Sequence, residues 1–204
     1  MNAAKIRLSQ KEMELVVKAD WILTKNGIIE KTVRLMASLQ VQQEQFTRSF
    51  SHELPVMIRD STPKISRGEK YKGLPYVMLD YPRLFGQTDI LAIRTLFWWG
   101  NFFSVTLHLS GSFKESSAQE IASNYRSLAE NDFYYCTNDK QWEHDLSRGN
   151  YSRVAELDEN DFQKTISERD FIKLVAKVPL EKWDEAEELL MVAFRDLIRL
   201  VVSS

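Results

Sequence analysis

The chain has 204 residues, of which 44% are apolar and 27% charged, as in an ordinary globular protein. Its 27 basic and 29 acidic residues leave a net charge of −2, whereas a dedicated DNA-binding domain is strongly basic. The basic excess lies in residues 1–110 and the acidic excess in residues 111–204. We do not expect a nucleic acid partner, because the acidic half would repel phosphate.

Cys136 is the single cysteine of the chain, so no internal disulfide can form and a reducing compartment is expected. No apolar run follows the basic residues near the amino terminus, as a signal peptide would require. Residues 95–113 contain no Asp, Glu, Lys or Arg, but their polar side chains recur at alternate positions, which indicates a strand. We therefore expect a cytoplasmic protein that does not associate with membranes.

Two helices are predicted in residues 1–50. Residues 10–25 place apolar side chains near one stripe, and residues 28–50 do so along a drifting face that ends at Phe50. The Asn26-Gly27 pair between them is typical of a helix break. The sequence therefore predicts an αα-hairpin at the amino terminus.

Residues 54–110 change to strands and turns. Residues 54–73 contain prolines, glycines and lysines and are interpreted mostly as an ordered loop, followed by a strand over residues 74–81. Gly100-Asn101 indicates a two-residue turn closing a hairpin over residues 90–109. This turn would pair Trp99 with Phe102.

That pairing assigns the side chains of the hairpin to two faces. The apolar face would hold Ala92, Leu96, Trp98, Phe103, Val105, Leu107, Leu109 and one charged residue, Arg94. The opposite face would mix rings with polar groups: Ile93, Thr95, Phe97, Trp99, Phe102, Ser104, Thr106 and His108.

Arg94 is anomalous on an apolar face, because an unpaired buried charge is costly. The favoured interpretation is a buried ion pair with Asp80, or an arginine that reaches past the sheet edge. A ligand-binding role is the second interpretation. A pairing register wrong by one residue is the third, since such a slip would exchange the two faces.

Residues 111–204 are predicted to alternate helices and strands. A helix over residues 117–130 has capping-box spacing at Ser117 and Glu120. A strand at 133–137 is paired with 141–144, and Asp158 caps a helix over 159–168. A strand over 171–178 directs its even-numbered residues inward and Lys173 and Lys177 outward, and a long helix runs from Pro179 to about Val202.

Together these elements predict one α+β domain over residues 1–204. Its mostly antiparallel sheet has about five strands and packs with the amino-terminal αα-hairpin, a middle helix and a long carboxy-terminal helix. Strict alternation of strand and helix, as in a doubly wound fold, is not seen.

Residues 63–83 hold the densest group of cations, glycines and tyrosines in the chain. Guanidinium, ammonium and phenol groups can bind a carboxylate or phosphate. Arg67 is the best single candidate, because its guanidinium can donate two hydrogen bonds to one oxyanion. The alternative is a structural loop with solvated lysines. The candidate ligand-binding residues of the chain are Lys64, Arg67, Tyr71, Tyr76, Asp80, Arg94, Trp99 and His108.

No nucleotide-binding loop, nucleophile elbow or metal-binding motif occurs, so we expect no cofactor and no metal. The histidines His52, His108 and His144 lie far apart in the sequence. Residues 143–145 group possible ligands, Glu-His-Asp, but a solvated turn is favoured because adjacent side chains point in different directions. His108 could serve as a general base, but a half-buried strand histidine is the simpler interpretation.

Three functions remain. The first is a module that binds a small anionic or planar ligand between residues 64–81 and the polar face of the hairpin. The second is a protein-interaction subunit, such as a homodimer, that uses the amino-terminal helices and the acidic segments 156–161 and 181–188. The third is an enzyme with Asp80 or His108 in acid–base chemistry, although no catalytic residue is identified by spacing.

Overall fold

A computed structural model describes residues 6–49 and 54–202. Phe50 and His52, which entered the sequence predictions, lie outside these ranges. The helices in chain order are α1 (Gln10–Val16), α2 (Asp20–Ser49), α3 (Val56–Arg59), α4 (Gly111–Ser123), α5 (Tyr125–Glu130), α6 (Glu159–Glu168) and α7 (Ala186–Val202). The strands are β1 (Lys64–Tyr71), β2 (Leu74–Phe85), β3 (Ile90–Trp98), β4 (Phe102–Ser110), β5 (Tyr134–Cys136), β6 (Tyr151–Arg153) and β7 (Phe171–Pro179).

Within the described residues, seven strands form one antiparallel sheet in the order β1-β2-β3-β4-β7-β5-β6. The α+β class is confirmed, but the sheet is larger than the predicted five strands. The prediction of a loop over residues 54–73 is wrong in part, because strand β1 lies within them. Its charged residues and glycine are typical of an edge strand. The three-residue strand β6 pairs with β5 in place of the predicted partner at 141–144.

One face of the sheet, here called the helix face, packs against α2, α4 and α7. The apolar stripe predicted for α7 is buried in this layer, and Phe194 stacks on Tyr81 of β2 at 6.5 Å between ring centroids. Met36 and Leu39 of α2 are also fully buried here. This layer is the main hydrophobic core, and it leaves the opposite face of the sheet to be covered by other segments.

Helix α2 corrects the predicted αα-hairpin. It continues through Asn26 and Gly27, and the chain bends earlier, between α1 and α2 at residues 17–19. A glycine inside a helix costs only about 1 kcal/mol relative to alanine. The apolar residues that follow Gly27 gain more than that by packing on the sheet, so the helix is not interrupted.

The β3–β4 hairpin forms, but its register differs by one residue from the prediction. The loop has three residues, with Gly100 at a φ of +70° and the Asn101 N–H donating to the Trp98 carbonyl at 3.0 Å. Trp98 therefore pairs with Phe102, and Phe97 with Phe103. A glycine at the third position of a β-turn supports positive φ, as in a type II turn, whereas the prediction placed it second.

This register reverses the faces predicted for β3 and leaves those of β4 unchanged. Ile93, Thr95 and Phe97 lie on the helix face, and Ala92, Arg94, Leu96 and Trp98 lie on the opposite face. Trp98 and Leu96 form a separate small cluster there with Phe102. Arg94 thus lies beside polar residues of β4, and its anomaly on an apolar face disappears.

The carboxy-terminal half matches the predictions in part. Asp158 caps α6 by accepting from the Asn160 N–H at 2.8 Å, and β7 occupies the predicted residues. The last helix, predicted from Pro179, begins as a 3-10 helix over Leu180–Glu185 and becomes α-helical only at Ala186. The middle helix begins at Gly111, so Ser117 is a buried interior residue and not a cap. Across the part of the chain that the structure describes, no helix combines the length and apolar character needed to cross a membrane.

Candidate functional site

Polar and charged side chains gather on the face of the sheet opposite the helices. The register places Asp80, Arg94 and Thr106 side by side across β2, β3 and β4. The next row across β4 and β7 places His108 beside Lys173. Segment 138–150, which forms no helix and only an isolated bridge to β6, lies over these two rows and is called the cover segment.

Arg94 and Asp80 form the ion pair that their sequence positions indicate. Arg94 Nε donates to Asp80 Oδ1 at 2.6 Å and Nη2 donates to Oδ2 at 2.9 Å, so the contact is bidentate. Asp80 is 5% exposed. Such a pair holds the guanidinium in one orientation and leaves Nη1 free to contact another group.

That third contact is made to the cover segment. Arg94 Nη1 lies 2.9 Å from Nε2 of His144. Because a guanidinium can only donate, Nε2 of His144 must accept, and the imidazole is neutral with its proton on Nδ1. Burial, together with the charges of Lys173 and Arg94, holds the pKa of His144 well below its ordinary value.

Lys173 is 1% exposed, although alternation along β7 predicts an outward side chain. Its ammonium donates to the Glu143 carbonyl and lies 5.5 Å from the centre of the Tyr151 ring. No described carboxylate lies within ion-pair distance of it. Burial lowers the pKa of Lys173 to about 8, and the charge of Arg94 acts in the same direction.

His108 faces the same space and is 5% exposed. Its Nε2 atom is buried and has no hydrogen-bond partner among the described residues. Burial and the nearby charge of Lys173 lower the pKa of His108 to about 3, so the ring is neutral near pH 7. A buried nitrogen without a partner is costly, so a hydrogen bond from a ligand to this atom would be stabilising.

These side chains border a narrow cavity of about 10 Å³, large enough for one water-sized group. The lining residues are Phe85, Ala92, Arg94, Thr106, His108, Trp142, His144 and Lys173. Trp142 stands at its mouth, 51% exposed, with its ring 5.2 Å from His108 and 6.0 Å from Phe85. The lining therefore combines two cationic side chains, Arg94 and Lys173, with apolar and aromatic ones such as Phe85 and Trp142.

Strong contacts at Glu143 fix the cover segment to β1 and β6. The Tyr71 hydroxyl donates to the Glu143 carboxylate and accepts from the His144 N–H at 2.9 Å. Tyr151 donates to the Glu143 carbonyl at 2.8 Å. Burial alone would raise the pKa of Glu143, but the bond from Tyr71, a backbone N–H and Lys72 hold it below its ordinary value. The carboxylate is therefore ionised, and residues 143–145 are not a solvated turn.

Six of the eight predicted ligand-binding residues lie on this face of the sheet. Arg94 and His108 line the cavity, Asp80 pairs with Arg94, and Tyr71 supports the cover segment. Lys64 lies opposite Asp80 on the edge strand and is exposed, and Tyr76 packs near Trp98. Lys64 and Tyr76 are therefore peripheral to the cavity.

The other two predicted residues lie elsewhere. Arg67 pairs with Val77, so its side chain projects from the helix face of β1 near Glu30. Trp99 is in the hairpin loop and packs edge-on against Phe97 of the main core, at 6.2 Å. Neither contributes to the cavity, because each belongs to the side of the sheet that the helices cover.

Lys173, His144 and Trp142 line the cavity and were not among the predicted ligand residues. Sequence periodicity assigned Lys173 to the outer side of β7 but carried no information on what covers that side. The Glu-His-Asp group at 143–145 was the available signal for His144, and it pointed to a turn. Its place beside Arg94 depends on a contact between residues 50 positions apart.

No group of three or more His, Cys, Asp and Glu side chains suited to a metal ion occurs in residues 6–49 and 54–202. A larger open depression lies elsewhere, at the start of α4 and the end of α6, and mixes Lys114 and Arg169 with several carboxylates. Comparison of the chain with protein-family models, with curated proteins and with solved structures finds no match to any of them.

Proposed function

We propose that the protein binds a small ligand carrying an oxyanion, a carboxylate or a phosphate, between the sheet and the cover segment. Arg94, Lys173 and His108 would contact the anionic group. Trp142 would pack against the apolar or planar remainder of the ligand at the mouth of the cavity. Of the three functions that the sequence indicates, ligand binding accounts best for three features of this face. They are the buried ammonium of Lys173, the unpartnered Nε2 atom of His108 and the half-exposed ring of Trp142.

The balance of charge around the cavity is the observation that carries the proposal. Arg94 and Lys173 are cationic near pH 7, and the low pKa values of His108 and His144 keep those rings neutral. Asp80 is the carboxylate paired directly with Arg94, which leaves Lys173 without a carboxylate partner among the described residues. Buried charges are normally paired, so an anion is the group that this environment favours.

The size of the cavity limits how such a ligand binds. A space of about 10 Å³ admits one water-sized atom group, so a single oxygen can enter while the body of the ligand stays outside. The half-exposed Trp142 ring is placed to meet that body. A larger group would have to displace Trp142 or the cover segment.

Acid–base catalysis by Asp80 or His108 receives no comparable support. Asp80 engages both oxygens with Arg94 and has none directed to a substrate. His108, with a pKa of about 3, is a weak base near neutral pH.

The test is thermal unfolding and calorimetric titration with inorganic phosphate, sulfate, acetate and benzoate, each compared with sodium chloride at matched ionic strength. A ligand at 100 times its Kd stabilises the native state by about 2.7 kcal/mol, which raises the Tm by several degrees in a chain of this size. We expect such a shift for at least one oxyanion in the wild type.

The matched variants are Lys173→Met and Lys177→Met. Both lysines lie on the same face of β7, but Lys177 is exposed and outside the cavity. The shift should vanish in Lys173→Met and persist in Lys177→Met. Equal responses of the two variants, or no oxyanion response in the wild type, would contradict the proposal.

A further inference from the structure

The amino-terminal end of the structure exposes a group of large apolar side chains that no other described element buries. Helix α1 has no buried residue, and the buried residues of α2 begin only at Ile29. Val16, Val17 and Leu23 are 66%, 70% and 63% exposed. The surface, here called the amino-terminal apolar surface, consists of Leu8, Met13, Leu15, Val16, Val17, Trp21, Ile22 and Leu23.

This surface has a defined shape. Ser9 and Glu12 form a reciprocal capping box at the start of α1. The indole N–H of Trp21 donates to the Leu15 carbonyl at 3.0 Å and fixes the bend between α1 and α2. Lys25 contacts Glu69 of the edge strand β1 at 2.6 Å, so the bent pair extends outward from that edge of the sheet.

The amount of apolar surface matches what a dimer buries. Eight large side chains, each between 36% and 70% exposed, present an area of the order of the ~800 Å² that each partner contributes to a standard interface. Isolated exposed apolar residues are common, but eight large ones within residues 8–23 are typical of an interaction site.

The charges around the surface favour a second copy of the same chain. Residues 6–25 carry Arg7, Lys11, Lys18 and Lys25, interspersed with Glu12, Glu14 and Asp20. Mixed signs allow a patch to meet its own copy with opposite charges in contact. A helix that binds anionic membranes instead carries a strongly basic polar face.

We propose that two copies of this chain associate about a two-fold axis through the amino-terminal apolar surface. A two-fold interface uses the same patch on both subunits, so a single self-complementary surface is sufficient. The bent α1–α2 pair of one copy packs against that of the other, and the candidate cavity on the sheet is not part of the contact.

Sedimentation velocity of the full chain over a range of concentrations tests this proposal. The wild type should sediment with twice the 23.8 kDa mass of the chain. Val17→Glu and Leu23→Glu each place a carboxylate in the buried contact of both subunits and should weaken association at least about tenfold. Val41→Glu is the control, because Val41 lies on α2, as Leu23 does, and is 51% exposed but outside the surface.

Circular dichroism should show the same helix content in all four proteins, since the substituted side chains are exposed in the single chain. A wild type that stays monomeric at ~100 μM would overturn the proposal, because that association is too weak for a specific dimer. A dimer that persists in both Val17→Glu and Leu23→Glu would overturn it too. So would pelleting of a monomeric wild type with vesicles containing phosphatidylserine, which would assign the surface to a membrane.

Discussion

Lys173 shows how the neighbours of one residue change its chemistry. On an open sheet its ammonium would be hydrated, and strand alternation alone predicts that environment. The cover segment removes the water and offers a backbone carbonyl and the Tyr151 ring in its place. The charged form is therefore disfavoured, and the residue is a source of instability that a bound anion would relieve.

The pH dependence of stability should reveal this burial. The unfolded chain keeps the Lys173 proton up to a pKa near 10.5, and the native protein releases it at about 8. Between these values the unfolded state binds more protons, so this group makes the free energy of unfolding rise with pH. Lys173→Met should lack that rise and be more stable at pH 7, by at most about 3 kcal/mol.

Urea unfolding of the wild type, Lys173→Met and Lys177→Met at pH 7, 8, 9 and 10 measures the effect. Lys177→Met should follow the wild type, because its side chain is exposed. An identical pH profile for all three proteins would show that Lys173 is not buried as an ammonium.

Asp80 and Arg94 should depend on each other for stability. Asp80→Asn leaves the guanidinium buried without its carboxylate, which typically costs about 3–5 kcal/mol. Glu69→Gln is a suitable comparison, since it removes a carboxylate that is 61% exposed from its pair with Lys25 and should cost less than about 1 kcal/mol. Urea unfolding at pH 7 distinguishes the two, and similar losses would contradict the buried pair.

At the scale of elements, Gly27 and Gly100 show that a glycine terminates an element only where the backbone needs it. Gly27 lies within α2, and an added Cβ would meet no atom within 4 Å. Gly100 is at a φ of +70° in the β3–β4 loop, a conformation that side chains with a Cβ disfavour. The same residue type is thus a tolerated cost in one element and a requirement in the other.

Alanine substitutions should therefore act in opposite directions at these two positions. Gly27→Ala should stabilise the protein by about 0.5–1 kcal/mol, because alanine restricts the unfolded chain and favours helix. Gly100→Ala should destabilise it by about 1 kcal/mol, because the left-handed conformation is strained for alanine. Urea midpoints at constant m-value give both changes, and a destabilising Gly27→Ala would argue against a continuous α2.

At the scale of the whole molecule, the sheet has two faces with different roles. The helix face packs into a largely apolar core that includes Phe194 and Tyr81. The opposite face is covered by an irregular segment and holds the buried ions and the small cavity. Apolar packing on the helix face stabilises the native state and offsets the free-energy cost of burying charges on the opposite face.

Truncation of one aromatic residue on each face should separate these roles. Phe194→Ala removes a fully buried ring from the core and should cost about 3–5 kcal/mol. Trp142→Ala removes a half-exposed ring and should cost less than about 1.5 kcal/mol, because solvent already contacts it. Thermal unfolding measures both, and a larger loss for Trp142→Ala would contradict this division of the sheet.

Local patterns in the sequence determined the class of the fold and most of its elements. The Asp158 cap and the periodic stripe of α7 depend on residues a few positions apart, so their spacing was sufficient. The hairpin was also evident from Gly100-Asn101. The register of the hairpin was not evident, because loops of two and three residues can both contain a glycine followed by an asparagine. A shift of one residue exchanges the two faces of a strand.

Tertiary structure alone decided which polar residues meet. The pairing of Arg94 with Asp80 followed from neighbouring strands, but the burial of Lys173 and the contact of His144 with Arg94 arise because the cover segment folds over one face of the sheet. That placement is held by single contacts such as Tyr71 to Glu143, between residues 72 positions apart. Such contacts have no periodic signature, because each depends on the path of the whole chain and not on the spacing of its neighbours.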